Sequence, residues 1–387
     1  MHKSLEEILM KALLKRTKQL TIKLAMFITL TAISIQPGVA AETKKIVMVI
    51  SGYGQQQGEP KPGYEFDEFA KAYRVFRDNG IAVDVASPQG GKVVADKYDP
   101  GKPYNAKVLA DAEAMAMLNN TLATTALNAQ NYDAIFIVGG KGAMFDLPKD
   151  EALKTAIANI YQQKGTVAAV CHGPAALVDV KLSDGSYLVA NKAVNSFTNQ
   201  EEQLFGKKWL SKFEFMLEDK LVERGAKFQS SDMMLSHVAI DDRLITGQNP
   251  VSTVGVATAL VTSLGLTPVD AEQYSEDKTM TVIAKFLSGE TEAINELASK
   301  PELYQLPLVG MYGFYYQKSS QTDQQFEHAL TLMIVAQKTI NNPKLDMQIA
   351  KTQHKLGKVD QAKATLNQLL ITKPDFKPAL DMLQTAF

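Results

Sequence analysis

The chain has 387 residues, of which 45% are hydrophobic and 21% charged, with a formal net charge of −1. That composition suits two or three globular domains and offers no basic excess to hold a polyanion, so no nucleic acid is expected as a partner. The one cysteine excludes an intrachain disulfide, and no Cys/His cluster has zinc-ligand spacing, so neither a metal nor another cofactor is expected.

The first 41 residues read as a segment apart from the fold. Lys3, Lys11, Lys15, Arg16, Lys18 and Lys23 precede an apolar run, Leu24–Ile35, and then Gln36-Pro37-Gly38-Val39-Ala40-Ala41. This is the pattern of a secretory signal peptide cleaved near Ala40 or Ala41. The apolar run is short for a bilayer, so no stable span is expected after cleavage. A periplasmic or secreted protein is expected. The alternative is an uncleaved signal anchor in the membrane. No cysteine follows the run, which argues against a lipoprotein.

Lys45–Ser51 predicts a first buried strand, and Gly52–Gly63 a flexible loop at its end. In Glu65–Asn79 the residues Phe66, Phe69, Ala70, Tyr73 and Phe76 fall at helical spacing, and Gly80 ends the helix. Ile81–Ala86 is a second strand. Ser87–Pro103 is a Gly/Pro-rich excursion, and Lys107–Leu118 a helix. Ala134–Val138 is a third strand, followed by Gly139-Gly140-Lys141-Gly142. That glycine spacing fits neither a Walker A loop nor GxGxxG, so it reads as a loop lining a strand-end crevice. Glu151–Gln163 is a helix.

Thr166–Val170 is small, apolar and β-branched, as a central parallel strand should be. Cys171-His172-Gly173-Pro174 follow, with Pro174 suited to a first helical turn. Cys171 therefore sits between a strand's C-terminal end and a helix N-terminus, where open α/β sheets place ligands. The helix end is expected to lower its thiol pKa. The arrangement reads as a nucleophile elbow with cysteine in place of serine. The alternative is an inert buried cysteine.

Short strands are expected near Tyr187–Ala193 and Val194–Phe197. Asn199-Gln200-Glu201-Glu202 is a loop leading toward Trp209. Phe215–Arg224 is a helix, Ala226–Ser230, Val238–Ile240 and Leu244–Thr246 are strands, and Ser252–Leu264 is a closing helix. Alternating strands and helices imply an α/β fold, a flavodoxin-like doubly wound parallel sheet. Its expected bounds are residues 42–267.

Residues 268–387 read as an all-α helical extension. Leu306–Tyr316 is an apolar packing segment, and Phe326–Lys338 and Lys344–Leu356 are helices. Ala350, Gly357, Ala362 and Pro374 match the small-residue and proline positions of one tetratricopeptide-like pair. A plain helical hairpin is the equal alternative. A protein partner could dock on these helices.

Four pieces resemble the ThiJ/PfpI superfamily, a branch of the class I glutamine amidotransferase-like fold. They are Gly63–Glu68, Val138–Pro148, Ala168–Leu177 and Ser196–Glu202. The likeness covers about 45–266 and is nearest to the heat-shock-chaperone and glyoxalase III-like branch. It implies Cys171 as the nucleophile, His172 beside it, and Glu68 as the acid on the first helix, favoured over Glu65 by register. Glu202 would orient His172, with Glu201 the competitor. Backbone N–H groups of Gly140 and His172 would form an oxyanion hole. Lys141 stands where relatives often carry histidine, so it bears on substrate preference. By the resemblance, the protein would be a homodimer converting methylglyoxal to D-lactate without glutathione, as a cofactor-independent lyase or hydrolase of small carbonyl substrates. The rival readings are a stress-linked chaperone with Cys171 as redox sensor, and a cysteine amidase or peptidase. Against the last, a histidine next in sequence to the nucleophile is hard to aim at it.

Overall fold

The computed structural model describes residues 43–387 and, before them, Met10 alone. The rest of the expected signal peptide therefore lies outside the described residues. In chain order the strands are β1 (Lys45–Val49), β2 (Ala82–Ser87), β3 (Leu122–Ala123), β4 (Ala134–Ile137), β5 (Thr166–Val170), β6 (Ala193–Val194), β7 (Lys227–Phe228), β8 (Val238–Asp241) and β9 (Leu244–Gly247). The longer helices of the α/β part are α1 (Phe66–Asp78), α2 (Pro103–Leu109), α3 (Ala112–Asn119), α4 (Glu151–Gln162), α5 (Leu217–Glu223) and α6 (Thr253–Ser263). Those that follow are α7 (Ser275–Leu287), α8 (Leu306–Ser319), α9 (Asp323–Ile340), α10 (Pro343–Lys355), α11 (Val359–Thr372) and α12 (Lys377–Thr385).

Among the described residues, seven strands form one sheet in the order β3-β2-β1-β4-β5-β9-β8. Neighbours run parallel except β8, which pairs antiparallel with β9. The expected wholly parallel sheet is thus mixed at one edge. The reason is local: only Asp242 and Arg243 separate β8 from β9, enough for a hairpin and far too few for a crossover. Asp242 takes the left-handed conformation such a tight turn requires. β6 and β7 pair with each other in a separate two-stranded ribbon.

Two apolar layers cover the sheet. Ala168 and Val170 of β5 face a core built with Phe69, Tyr73 and Phe76 of α1 and Val256 and Leu260 of α6. Val167 and Ala169 face the opposite core, with Leu153, Ile157 and Ile160 of α4. A strand so covered cannot carry polar side chains, which explains its composition.

Two local expectations fail. The single helix over Lys107–Leu118 is broken into α2 and α3. The Asp111 carboxylate accepts the Glu113 and Ala114 N–H groups at 3.0 and 3.1 Å and starts a new helix there. The helix after Cys171 is a five-residue 3₁₀ turn, Gly173–Leu177.

From Ser275 on, the described chain is helical. The apolar segment 306–316 lies in α8, whose Val309, Tyr312 and Tyr316 are buried against α9. No helix among the described residues is long and apolar enough to cross a membrane.

Candidate active site

The C-terminal ends of β1, β4 and β5 meet where the strand order reverses, and open α/β sheets bind ligands at such points. Cys171 follows β5 immediately and takes φ +59°, a left-handed conformation unusual for a side-chain-bearing residue. Its N–H donates to the Gly247 carbonyl at 2.8 Å, and its carbonyl accepts from Phe197 N–H at 2.9 Å. The turn is thus held from both sides. Strain of this kind persists only where surrounding structure over-determines it.

Glu68 enters from the first turn of α1 and is fully buried. Its Oε2 accepts the Gly139 N–H at 2.7 Å, and it hydrogen-bonds the Cys171 thiol. Its Oε1 has no partner among the described residues. Gly139 is what lets the two groups meet. A Cβ there would stand 2.7 Å from Glu68 Oε2 and 2.8 Å from Cys171 Cβ. Gly140 turns the loop at φ +93°, a value L side chains rarely adopt.

Burial pushes the Glu68 carboxyl well above the usual carboxylate range, and the neighbouring Glu65 adds to the effect. Burial likewise pushes the Cys171 thiol up, and Glu68 raises it further. The expected depression by a helix end does not appear. The helix is one short 3₁₀ turn, and loss of water outweighs it. Lys141 acts in the opposite direction and pulls the thiol down.

His172 is also buried. Its Nδ1 lies 3.4 Å from Cys171 Sγ and its Nε2 lies 2.7 Å from Glu202 Oε2. The imidazole rests on Phe197, with ring centroids 4.6 Å apart. Adjacency in sequence is therefore no obstacle, because the left-handed turn at Cys171 brings the two side chains together. Glu202 sits in a wide helical turn, Glu202–Gly206, that follows the Thr198 cap.

Glu201 does other work. It completes a capping box with Thr198 and also accepts from Met234 N–H at 2.6 Å, Gln248 at 3.0 Å and Asn249 at 2.9 Å. That network ties the segment to the end of β9.

Two acids at the mouth add to the set. Glu65, passed over by register, is pushed up to about 7 by burial and by Asp67 and Asp96, with Lys141 opposing. Asp96 accepts the Gly63 N–H at 2.7 Å and is raised chiefly by burial. The sequence gave no motif for Asp96; an acid in an otherwise Gly/Pro-rich excursion was its only sign. Half-buried Lys141 lies in the field of both acids.

The sequence pattern of the DJ-1/PfpI family matches residues 61–263, which hold every one of these groups. The chain belongs to the DJ-1/PfpI family. It is 32% identical over 235 residues to the glutathione-independent glyoxalase hsp3101 of Schizosaccharomyces pombe, spanning 57% of this chain and 96% of that protein. It is 31% identical to the glutathione-independent glyoxalase HSP31 of Saccharomyces cerevisiae, over 57% of this chain and 98% of the relative. Among solved structures, the 24-kDa rapid encystment protein of Francisella tularensis is 34% identical with a TM-score of 0.54, covering 57% of this chain and 99% of that one. The helices after the DJ-1/PfpI match lie beyond what the family pattern covers.

Proposed function

We propose that this DJ-1/PfpI protein is a glutathione-independent glyoxalase that converts methylglyoxal and related small 2-oxoaldehydes to 2-hydroxy acids. The observation that carries the reading is the convergence on Cys171 of a proton-holding carboxyl, Glu68, and an imidazole already bound to a second carboxylate, Glu202. The relatives named glutathione-independent glyoxalase supply the substrate class.

The turn at Cys171 is read as a nucleophile elbow. His172 Nδ1 takes the thiol proton, and the thiolate adds to the aldehyde carbon of methylglyoxal to give a hemithioacetal. Glu68 protonates the new alkoxide oxygen or donates to the adjacent keto oxygen. Backbone N–H groups of Gly140 and His172 face the developing charge. A base, Glu68 or His172, then removes the hydrogen from the former aldehyde carbon and returns a proton to the keto carbon. The product is a lactoyl thioester. Water hydrolyses it to lactate and free Cys171. The net change adds one water and moves one hydrogen between carbons, so no external oxidant or reductant is consumed. Burial suits the chemistry, because proton transfer benefits from an acid poised near neutrality.

The same Cys171–His172–Glu202 chain favours a second reading, cysteine-dependent hydrolysis of esters or amides. Methylglyoxal consumption without glutathione, beside Cys171→Ser, tests the first reading. Loss of turnover on substitution supports it, and an inactive reduced parent sinks it. Hydrolysis of p-nitrophenyl acetate would then support the second.

The remaining assignments belong to the same reading. Residues 1–41 direct export and 42–267 form the catalytic domain. Residues 268–387 include one tetratricopeptide-like pair, α10 and α11, supported by buried Ala350 and Ala362 at their contact and by Gly357 at φ +71°.

A further inference from the structure

Two ties run from the helical extension to the elements that carry the site's carboxylates. The first reaches α1. Lys71 lies three residues after Glu68, has only 6% of its side chain exposed, and pairs with Glu276 at 2.6 Å and Asp277 at 2.8 Å. Both acids lie in the first turn of α7, where the helix dipole favours negative charge. Asp67, beside Glu68, joins the same cluster. Tyr104 donates to Asp67 and Glu276 at 3.0 and 2.7 Å, and Lys102 pairs with both.

The second tie reaches the turn that carries Glu202. Phe205 meets Tyr315 of α8 edge to face, ring centroids 4.8 Å apart. Leu204 and Phe205 pack against the core of the extension. Between the ties lies a mostly apolar cavity of about 190 Å³, lined by Lys71, Phe205, Met234, Met280, Tyr312 and Tyr315. Continuous packing is absent there, so the two ties carry the connection.

We propose that the extension is part of the catalytic scaffold: Glu276 and Asp277 act through Lys71 to position Glu68, and Tyr315 acts through Phe205 to position Glu202. These are positioning residues, since none of them touches Cys171. The inference rests on the assignment of Glu68, His172 and Glu202 to the working site. It explains why an α/β domain that matches its relatives nearly end to end carries a helical addition docked on this face. Coupling through a buried ion cluster is directional in a way that apolar packing is not, because each charge fixes the others' positions.

The test uses the full chain. Lys71→Met removes the first tie, and Lys71→Arg keeps its charge. Glu276→Gln weakens the same tie while leaving Lys71 paired with Asp277, which guards against a misfolded Lys71→Met. Tyr315→Ala and Tyr315→Phe do the same for the second tie. Circular dichroism confirms folding, and the rate of Cys171 alkylation by iodoacetamide is followed across pH. Alkylation needs no methylglyoxal, so an inactive parent would sink the glyoxalase reading and leave this test intact. Lys71→Met and Glu276→Gln should lower the midpoint of the profile, because Glu68 raises the thiol and is freed. A shift of one unit is about tenfold in rate at fixed pH. Tyr315→Ala should lower the plateau rate about tenfold, within the usual range for a misplaced general base. Arginine at 71 and phenylalanine at 315 should restore the parental profile. Parental profiles in folded Lys71→Met and Tyr315→Ala would overturn the proposal.

Discussion

His172 Nε2 and Glu202 Oε2 are 2.7 Å apart in a site almost closed to water, with 2% and 6% of the two side chains exposed. An ionised Glu202 accepts the Nε2 proton, which leaves Nδ1 as the acceptor that faces Cys171 Sγ. Glu202→Gln can present its amide to Nε2 and so favour the wrong tautomer. Turnover should fall about 10²–10⁴-fold, the range of a lost general base. The melting temperature should change little, since one hydrogen bond replaces another. Glu201→Gln should do the reverse. It weakens a carboxylate that serves several buried donors, so it should melt lower while the surviving folded fraction turns over normally. Steady-state kinetics beside thermal melts separate the two neighbours.

The raised Glu68 carboxyl carries a stability cost with a definite sign. The folded state keeps this proton after the unfolded chain, with its ordinary value of 4.5, has lost it. Stability from this group is therefore fully present at low pH and declines as pH rises above about 4.5, by up to roughly 1.4 kcal/mol per pH unit until the folded carboxyl ionises. Glu68→Gln should be more stable than the parent at neutral pH and lose that advantage in acid. It should also be nearly inactive, since functional groups are commonly held at the expense of stability. Melting temperature against pH, parent minus variant, reads the effect. A flat difference would show that Glu68 ionises normally.

Lys141 is the cation that opposes the buried acids. Lys141→Met should raise the Cys171 thiol further and slow its alkylation at neutral pH. It should also move Glu65 above its value of about 7, because Lys141 holds Glu65 down. An acid limb near 7 in the pH–rate profile should thus shift upward in Lys141→Met and vanish in Glu65→Gln. If neither variant alters that limb, Glu65 does not govern it.

The sheet was legible because its strands obey one rule: a strand covered on both faces is continuously apolar. Thr166–Val170 was bounded to the residue for that reason. The edge was less so. β3 and β6 are two residues long, and no periodicity survives in so short a run. The break between α2 and α3 depends on Asp111 turning its carboxylate back on the backbone, which competes with helix in a way that apolar spacing does not record. In the site, Cys171 and His172 announce themselves by their turn. The assignment of Glu202 against Glu201 depended on three-dimensional partners, because two adjacent carboxylates have the same sequence signature. Asp96 arrives from an irregular loop, where spacing carries no information.

Gly139 gives the sharpest test of the contact between Glu68 and Cys171. Its backbone N–H holds Glu68 at 2.7 Å, while the absent Cβ leaves the space in which carboxyl and thiol meet. In Gly139→Ala the new methyl would lie 2.7 Å from Glu68 Oε2 and 2.7 Å from the Val170 carbonyl oxygen. The carbonyl belongs to the central strand and cannot retreat, so Glu68 must. Overpacking of this kind costs about 1–3 kcal/mol, which leaves a domain of this size folded. Turnover should fall at least about a hundredfold, as for loss of an acid catalyst, with the His172–Glu202 pair undisturbed. The alkylation profile should shift down in pH, because Glu68 no longer raises the thiol. A folded Gly139→Ala with near-parental turnover would show that the chemistry does not need Glu68 against Cys171. The proton transfer would then fall to His172 alone.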